Sequence, residues 1–323
     1  MQDRPFVLVV STIADIATDQ VVRHLNSASI DHYRINTEDL PFSQTAAFYP
    51  DRRRDEWLTL AGKSIPAPTS IWYRRVRVPA VPDGMDPGIY KFCVEESRAL
   101  LLGSITSRET RWMSAPTSVW QAEHKPFQLS VAAELGFRIP RTVITNDPNV
   151  IRDAFHELGG MIVKPVRSGY VVHDGVGHSV FTSQLLAEHL DELDSARLSP
   201  SIYQELIPKR FDIRVTIVGR QIFSAAIDSQ TDSDAIVDWR KTANPDLPHY
   251  KVDLPQDVSQ KLLQLMDVLQ LNFAAIDLVE TPTGEYVFLE VNPNGQWLWL
   301  DDRLEFGISD AVAAWLGGVG VAK

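Results

Sequence analysis

Three oxygen-bearing side chains near the end of the sequence could bind Mg²⁺. Asp277, Glu290 and Asn292 lie in two apolar stretches separated by a turn at residues 281–284. If this turn closes a hairpin, Asp277 lies opposite Phe288, and strand alternation puts the three polar side chains on one face. Carboxylate and amide oxygens are ligands that Mg²⁺ favours, together with phosphates and water. The alternative is a hairpin whose polar face meets water, although an unpaired carboxylate is costly to bury in an apolar strand.

Two lysines could provide positive charge for the phosphates of a nucleotide. Lys164 ends the apolar run Met161-Ile-Val, and Lys125 lies upstream of it. A single lysine at a strand end is commonly just solvated. As a pair, the two ammonium groups are point charges suited to the oxygens of a triphosphate.

The segment from Tyr203 to Ile207 could join two parts of the molecule and meet the edge of an adenine. The backbone C=O of Glu205 and the N–H of Ile207 would then pair with the base. A plain edge strand explains this segment equally well.

Arginines follow in the same region. Arg214 lies among apolar residues, and Arg240 lies in a loop. A buried arginine needs an anionic partner. A structural salt bridge with Asp212 or Asp238 would satisfy these arginines, and bidentate contacts to a transferred phosphate are the functional alternative.

Hydrophobic periodicity predicts the elements that must position these residues. The opening is strand, helix, strand, without the Gly-x-Gly-x-x-Gly sequence of a dinucleotide-binding domain. Turn and cap residues divide the rest of the chain. We expect domains at 1–118, 119–200 and 201–323. The main predicted elements are strands at 6–10, 32–35, 72–75, 142–145 and 161–164, helices at 95–102, 123–135, 184–193 and 259–269, and a hairpin at 170–182.

Composition excludes several classes of protein. The net charge of -11 argues against binding to nucleic acid or to acidic membranes, which normally requires excess Lys and Arg. The single cysteine, Cys93, cannot form an internal disulfide, and the apolar run at 6–10 is too short for a signal peptide. No run is long enough to span a membrane. A cytoplasmic location is therefore expected.

Taken in order, the candidate residues resemble the nucleotide and metal set of the ATP-grasp superfamily. Further short sequence motifs, spread over nearly the whole chain, are similar to those of the microviridin-type peptide ligases, or graspetide synthetases. They are Ile71-Trp-Tyr-Arg-Arg75, Pro82-Asp-Gly-Met-Asp86, Phe181-Thr-Ser183, Ile213-Arg-Val-Thr-Ile-Val-Gly219, Asp238-Trp-Arg-Lys241 and Leu289-Glu-Val-Asn-Pro293. This resemblance implies an α/β (α+β) ATP-grasp fold. It consists of an N-terminal α/β pre-grasp domain, a small central domain and a C-terminal domain, with the nucleotide between the last two.

The resemblance also implies roles for individual residues, with ATP and Mg²⁺ as cofactors. Asp277, Glu290 and Asn292 would hold the metal. Arg214, helped by Arg240, would stabilise the acyl phosphate and the tetrahedral intermediate. The nucleotide-binding set would be Lys125, Lys164, Gln204, Glu205, Ile207, Lys209 and Asp212.

The implied substrate is a ribosomally made precursor peptide, whose Asp or Glu side chains are phosphorylated and then attacked by Ser, Thr or Lys side chains. Its leader segment would dock beside Glu188, His189 and Glu192, with His189 where a second carboxylate is expected. A plain surface helix is the alternative. This interpretation allows a homodimer. A ligase for a small acid or a protein terminus, and a non-catalytic peptide-binding module, are the other hypotheses.

Overall fold

The computed structural model describes residues 4–50, 57–167 and 169–318. The chain divides into two compact units. The first contains the residues up to 116, residues 296–301 and those from 307 onward, and the second contains 117–295 and 302–306. The division into three domains at 118 and 200 stays a prediction.

The first unit begins with the strand, helix and strand expected from the sequence. Its elements before residue 116 are β1 (Phe6–Ser11), α1 (Ile16–Ser27), β2 (Asp31–Asn36), a 3-10 helix (Thr37–Asp39), β3 (Ala46–Phe48), β4 (Leu58–Leu60), β5 (Lys63–Ile65), β6 (Ser70–Tyr73), α2 (Pro87–Thr106) and β7 (Arg111–Trp112).

A parallel sheet in the order β2-β1-β6-β7 forms the centre of the first unit. The residues from Val7 to Val10 in β1 are fully buried, as expected for an inner strand of a parallel sheet. The strands β3, β4 and β5 form a separate antiparallel sheet. The helix predicted at 95–102 lies inside the longer α2, which begins after Asp86 because this carboxylate accepts the N–H groups of Gly88 and Ile89.

The second unit contains most of the remaining elements. They are α3 (Pro116–Ala122), α4 (Lys125–Glu134), β8 (Thr142–Thr145), α5 (Pro148–Leu158), β9 (Met161–Pro165), β10 (Tyr170–His173), β11 (Val176–Ser179), β12 (Ser183–Leu185), a 3-10 helix (Ala187–Leu198), β13 (Ser201–Glu205), β14 (Phe211–Val218), β15 (Gln221–Ile227), 3-10 helices (Ser229–Thr231 and Trp239–Lys241), β16 (His249–Lys251), α6 (Gln256–Val268), β17 (Phe273–Glu280) and β18 (Tyr286–Asn292). The chain then forms α7 (Leu298–Leu304) and α8 (Ile308–Gly317).

Two antiparallel sheets form the core of the second unit. One has the order β12-β9-β13-β8 and packs against α5 and the helix Ala187–Leu198. The other has the order β16-β15-β14-β17-β18 and packs against α4 and α6. Because β13 lies between β9 and β8, the interpretation of residues 203–207 as a plain edge strand is wrong.

The region from 170 to 198 differs in part from its prediction. The hairpin of β10 and β11 is present, with Asp174 and Gly175 in the turn. The helix predicted at 184–193 is wrong in its start and type, because β12 takes the residues up to Leu185 to pair with β9 and a 3-10 helix begins at Ala187. Periodicity failed here because tertiary strand pairing overrides local helical preference.

The end of the described chain belongs to the first unit, where α8 packs against α1. Arg74 in this unit is fully buried. Its Nε donates to Asp15 Oδ2 at 2.8 Å, and its guanidinium lies 4.4 Å from the ring centre of Trp297. The Trp297 indole donates to Ser309 Oγ at 2.9 Å, so one buried cluster joins residues from both ends of the sequence.

Among the described residues, no helix has both the length and the apolar character needed to cross a membrane.

Candidate active site

A cavity of about 420 Å³ lies in the second unit, a size in the range of ligand-binding pockets. Most residues predicted to bind nucleotide or metal line it. They are Lys125, Lys164, Gln204, Glu205, Ile207, Lys209, Asp212, Asp277 and Glu290. Arg240, predicted to act in catalysis, also lines the cavity, whereas Arg214 and Asn292 are not among its lining residues.

Two carboxylates face each other on the strands at one wall of this cavity. Asp277 on β17 pairs directly with Glu290 on β18. The expected pairing of Asp277 with Phe288 was wrong, because the register shifts between Asp277 and Leu278 and Phe288 pairs with Leu278 instead. Such an irregularity re-aims side chains, and here it brings the two carboxylates opposite each other.

Glu290 is held in its ionised form by cations. Lys125 Nζ lies 3.1 Å from Glu290 Oε2, and both side chains are largely buried. Burial would raise the pKa of Glu290, but the charges of Lys125, Lys164 and Arg240 outweigh it and lower the pKa to about 2. Glu290 is therefore an anion across the physiological range.

Asp277 has a different environment. Arg214 pairs with it across β14 and β17, and Arg214 Nη1 donates to Asp277 Oδ1 at 2.9 Å. Burial and the nearby Glu290 nonetheless keep the pKa of Asp277 above its ordinary value, despite the charge of Arg214. The buried Nε of Arg214 has no hydrogen-bond partner among the described residues, so this guanidinium retains a donor. The predicted salt bridge to Asp212 or Asp238 is therefore wrong for Arg214, whose partner is Asp277, and is confirmed for Arg240, which pairs with Asp238.

The donor set fits a magnesium ion that also binds phosphates. The described residues contain no group of three or more His, Cys, Asp or Glu side chains suited to a metal. Mg²⁺ rarely uses such an all-protein cage and is commonly held by one or two carboxylates plus substrate phosphates and water. Asn292 follows on the Glu290 face of β18, and its side-chain oxygen accepts the N–H of Asn294 at 3.0 Å. Its second lone pair is available to a ligand.

Lys164 and Lys125 approach the cavity from two elements. Lys164 lies in β9, and Lys125 is the first residue of α4. Lys125 Nζ also donates to the C=O of Pro165, the residue after Lys164, at 3.3 Å. Burial lowers the pKa of Lys164 to about 8, with Glu290 opposing and Lys125 adding to the shift. An anion in the cavity would offset the cost of burying the Lys164 ammonium group.

The region predicted to contact adenine has an apolar wall. Ile207 lines the cavity and is buried, and its N–H has no hydrogen-bond partner in the part of the chain that the structure describes. Gln204 is buried, and its side chain donates to Thr142 Oγ1 at 2.9 Å. Sequence reasoning did not identify the apolar residues around them, because such residues resemble any core position. These are Ile162, Leu206, Val279 and Leu289.

Lys209 and Asp212 form a buried pair at the cavity. Lys209 Nζ donates to both carboxylate oxygens of Asp212 at 2.9 and 2.7 Å. Ser229 Oγ donates to the same carboxylate at 2.5 Å. Burial still raises the pKa of Asp212 above its ordinary value, because these partners only partly compensate. Ser229 was not recognised from the sequence, where nothing distinguishes it from other loop serines.

Arg240 is oriented by Asp238. Its Nε and Nη2 donate to the two oxygens of Asp238 at 2.8 Å each, which is a bidentate pair. Asp238 also accepts the N–H of Thr182 at 3.1 Å. Burial opposes ionisation of Asp238, but the hydrogen bonds and charge of Arg240 lower its pKa overall. The Arg240 side chain stays about half exposed at the cavity, with 48% of its surface accessible.

The residues predicted to bind peptide lie elsewhere on the second unit. Glu188, His189 and Glu192 are all exposed on the helix Ala187–Leu198. His189 Nδ1 accepts the N–H of Leu186 at 2.9 Å and so has a local capping role. With three residues per turn in a 3-10 helix, Glu188 aligns with Asp191, and Glu192 aligns with His189.

Comparison with known proteins gives consistent matches. The model of the MvdD pre-ATP grasp domain matches residues 6–119. The macrocyclase MdnC of Microcystis aeruginosa MRC, solved with precursor peptide MdnA, is 33% identical, with 97% of this chain and 99% of that chain covered and a TM-score of 0.86. Macrocyclase MdnB of the same organism is 30% identical, with 97% and 99% covered and a TM-score of 0.78.

A third solved structure is the RiPP-associated ATP-grasp ligase of Chryseobacterium gregarium, in complex with ADP and a leader and core peptide. It is 28% identical, with 97% of this chain and 96% of that chain covered and a TM-score of 0.87. No curated protein sequence matches the chain.

The fold and the cavity define an ATP-grasp ligase. The chain belongs to the graspetide ligase family, the branch that contains the MdnC and MdnB macrocyclases.

Proposed function

We propose that this protein uses ATP to phosphorylate Asp or Glu side chains of a ribosomally made precursor peptide and then closes ester or amide crosslinks between side chains. ADP and phosphate are released. One observation carries the proposal: Lys125 and Lys164 share one cavity with the paired carboxylates Asp277 and Glu290. The identity to a macrocyclase over almost the whole chain supports the peptide as substrate.

In the proposed mechanism, Lys125 and Lys164 hold the phosphates, while the C=O of Glu205 and the N–H of Ile207 hold the adenine. Gln204, Lys209 and Asp212 complete the nucleotide site. Mg²⁺, held by Asp277, Glu290 and Asn292, would neutralise phosphate charge. Phosphoryl transfer depends mainly on such positioning and electrostatic stabilisation.

Arg214 and Arg240 would act on the charge that develops during the reaction. The carboxylate of the peptide attacks the γ-phosphorus, and the bond to the β-phosphate oxygen breaks to release ADP. A hydroxyl or amine then attacks the acyl phosphate and loses a proton, and phosphate leaves. Arg240 is already aligned by Asp238, so it can stabilise the negatively charged oxygen of the tetrahedral intermediate without reorganisation.

The proposed partner is a precursor peptide with a leader segment that docks at Glu188, His189 and Glu192. The exposed acidic side chains of this helix suit a basic leader residue. A cytoplasmic location and a homodimer are parts of the proposal, which involves neither nucleic acid nor a membrane.

The test is to incubate the enzyme with Mg-ATP and the peptide encoded beside its gene. Intact mass should fall by one water for each bond, with ADP released in step. ADP release without any loss of peptide mass, together with ligation of a free amine to a small acid, would instead assign the enzyme to another ATP-grasp substrate class.

A further inference from the structure

Gln128 is a buried polar residue to which the proposed mechanism gives no role. It lies in α4 with 2% of its surface exposed. Its Nε2 donates to the C=O of Ala122 and, at 2.7 Å, to the C=O of Val291. Its Oε1 accepts the N–H of Val291 at 3.0 Å. One amide therefore joins the end of α3, α4 and β18.

The contact with β18 has the pattern of a strand pairing. Among the described residues β18 is the outer strand of its sheet, and the outer edge of its backbone is bridged at Val287 by Arg138, whose C=O accepts the Phe288 N–H at 2.8 Å. The Gln128 amide pairs with both the N–H and the C=O of Val291, as a residue of a neighbouring strand would. This contact fixes α4 at one residue of β18.

That residue is next to a predicted magnesium ligand. Val291 follows Glu290 in β18, and Lys125 lies three positions before Gln128, on the same face of α4. Lys125 Nζ contacts Glu290 Oε2 at 3.1 Å. The neighbouring strand residues Glu290 and Val291 are thus contacted by Lys125 and Gln128, which lie one turn apart on α4.

We propose that Gln128 is a positioning residue that sets the register of Lys125 against Glu290. This inference rests on the proposed roles of those two residues in binding Mg-nucleotide. α4 also contacts the sheet through the apolar side chains of Leu129, Val131 and Ala132. Hydrophobic contacts are not directional, so they hold the helix on the sheet without fixing its position along the strand. The hydrogen bonds of Gln128 provide that direction.

Gln128→Met tests the inference because it keeps the volume and removes the hydrogen bonds. The affinity for Mg-ADP, measured by calorimetry, should fall about 10-fold or more, and kcat/KM for ATP should fall about 100-fold, since displacements near 1 Å have such effects. Ser224→Ala is the matched control. It removes a partly buried hydrogen bond in the same unit, from Ser224 Oγ to the C=O of Val252, away from the cavity. It should leave both constants within about 2-fold.

A double-mutant cycle with Lys125→Met separates positioning from general stability. If Gln128 acts through Lys125, adding Gln128→Met to Lys125→Met should lower kcat/KM by less than about 3-fold, because the two residues share one effect. Equal losses in both backgrounds would overturn the inference. If Gln128→Met does not fold, Gln128→Asn serves instead, since it keeps the amide but shortens the side chain and so weakens the hydrogen bonds to Val291. It should show a smaller loss with the same non-additivity.

The affinity of the unmodified protein for Mg-ADP separates the two proposals. A wild-type protein that does not bind Mg-ADP would refute the nucleotide site itself. A wild-type protein that binds, alongside a Gln128→Met variant that binds equally well, would refute only the positioning role.

Discussion

Asp277 and Glu290 lie directly opposite each other on β17 and β18, immediately before the register shift. Two carboxylates at such a position repel unless cations compensate them. Lys125 contacts Glu290 and Arg214 contacts Asp277, so each acid has its own cation. The lone pairs of these carboxylate oxygens that do not face Lys125 or Arg214 are available to coordinate a metal.

Glu290→Gln should abolish ATP turnover without unfolding the protein. The amide keeps the shape of the side chain but removes the charge, so metal and phosphate lose their partner. We expect ADP release to fall by at least about 100-fold, comparable to losing a transition-state donor, with an unchanged circular dichroism spectrum. Glu285→Gln, beside the hairpin turn, is the control and should retain turnover. Normal ADP release by Glu290→Gln would mean that the carboxylate is structural.

Arg214→Met should reduce stability because it leaves Asp277 buried without its cation. Breaking such a pair typically costs about 3 to 5 kcal/mol, which urea denaturation would detect. The control is Arg220→Met, whose pair with Asp267 is exposed and should contribute less than about 1 kcal/mol. Similar losses in the two variants would contradict the burial argument.

Nucleotide binding should take up protons in mildly alkaline solution. Burial lowers the pKa of Lys164 to about 8, so part of this side chain is neutral at pH 8 to 9. Bound phosphates favour the ammonium form of Lys164 and raise its pKa. Binding of Mg-ADP at pH 8 to 9 should therefore be accompanied by the uptake of up to about one proton per site, whereas no uptake is expected near pH 6, where Lys164 is already protonated.

Calorimetry of Mg-ADP binding in buffers of different ionisation enthalpy measures this uptake. Lys164→Arg keeps the charge but does not titrate in this range, so it should remove the effect. An identical uptake in that variant would assign the proton to another group.

The acidic helix offers a prediction for peptide affinity. Charge reversal by Glu188→Lys with Glu192→Lys should weaken binding of the precursor peptide at least about 10-fold, while Mg-ADP affinity stays the same, because a basic leader would lose its electrostatic partner. Asp253→Lys with Asp257→Lys, at two exposed sites in and before α6, makes the same change in net charge and is the control. Unchanged peptide affinity in the double variant would refute docking at this helix.

The sequence predicted much of the second unit because its signals are local. The strands at 142–145 and 161–164 and the hairpin at 170–182 follow from alternating apolar residues and turn residues, and the structure confirms them. The pairing of Asp277 could not be predicted, since a register shift depends on packing across three strands and has no residue signature here.

Other features of the candidate site depend on contacts distant in the sequence. Asp277 as the partner of Arg214 and Val291 as the partner of Gln128 are set by tertiary structure, so no spacing indicates them. The 3-10 geometry of Ala187–Leu198 was also missed. Its residues have the composition of an ordinary α-helix, and the alignment of Glu188 with Asp191 rather than Glu192 follows only from the observed helix type.

The position of α8 has a consequence for how the chain can be cut or synthesised. Ser70 in β6 donates to the C=O of Leu316, and Trp297 lies against Arg74. The packing of the parallel sheet is therefore completed by residues that are translated long after its own strands. A fragment ending near residue 119 would lack these contacts and expose the surface of α1 that α8 covers. During synthesis, the part that comes first along the chain can only complete its packing last.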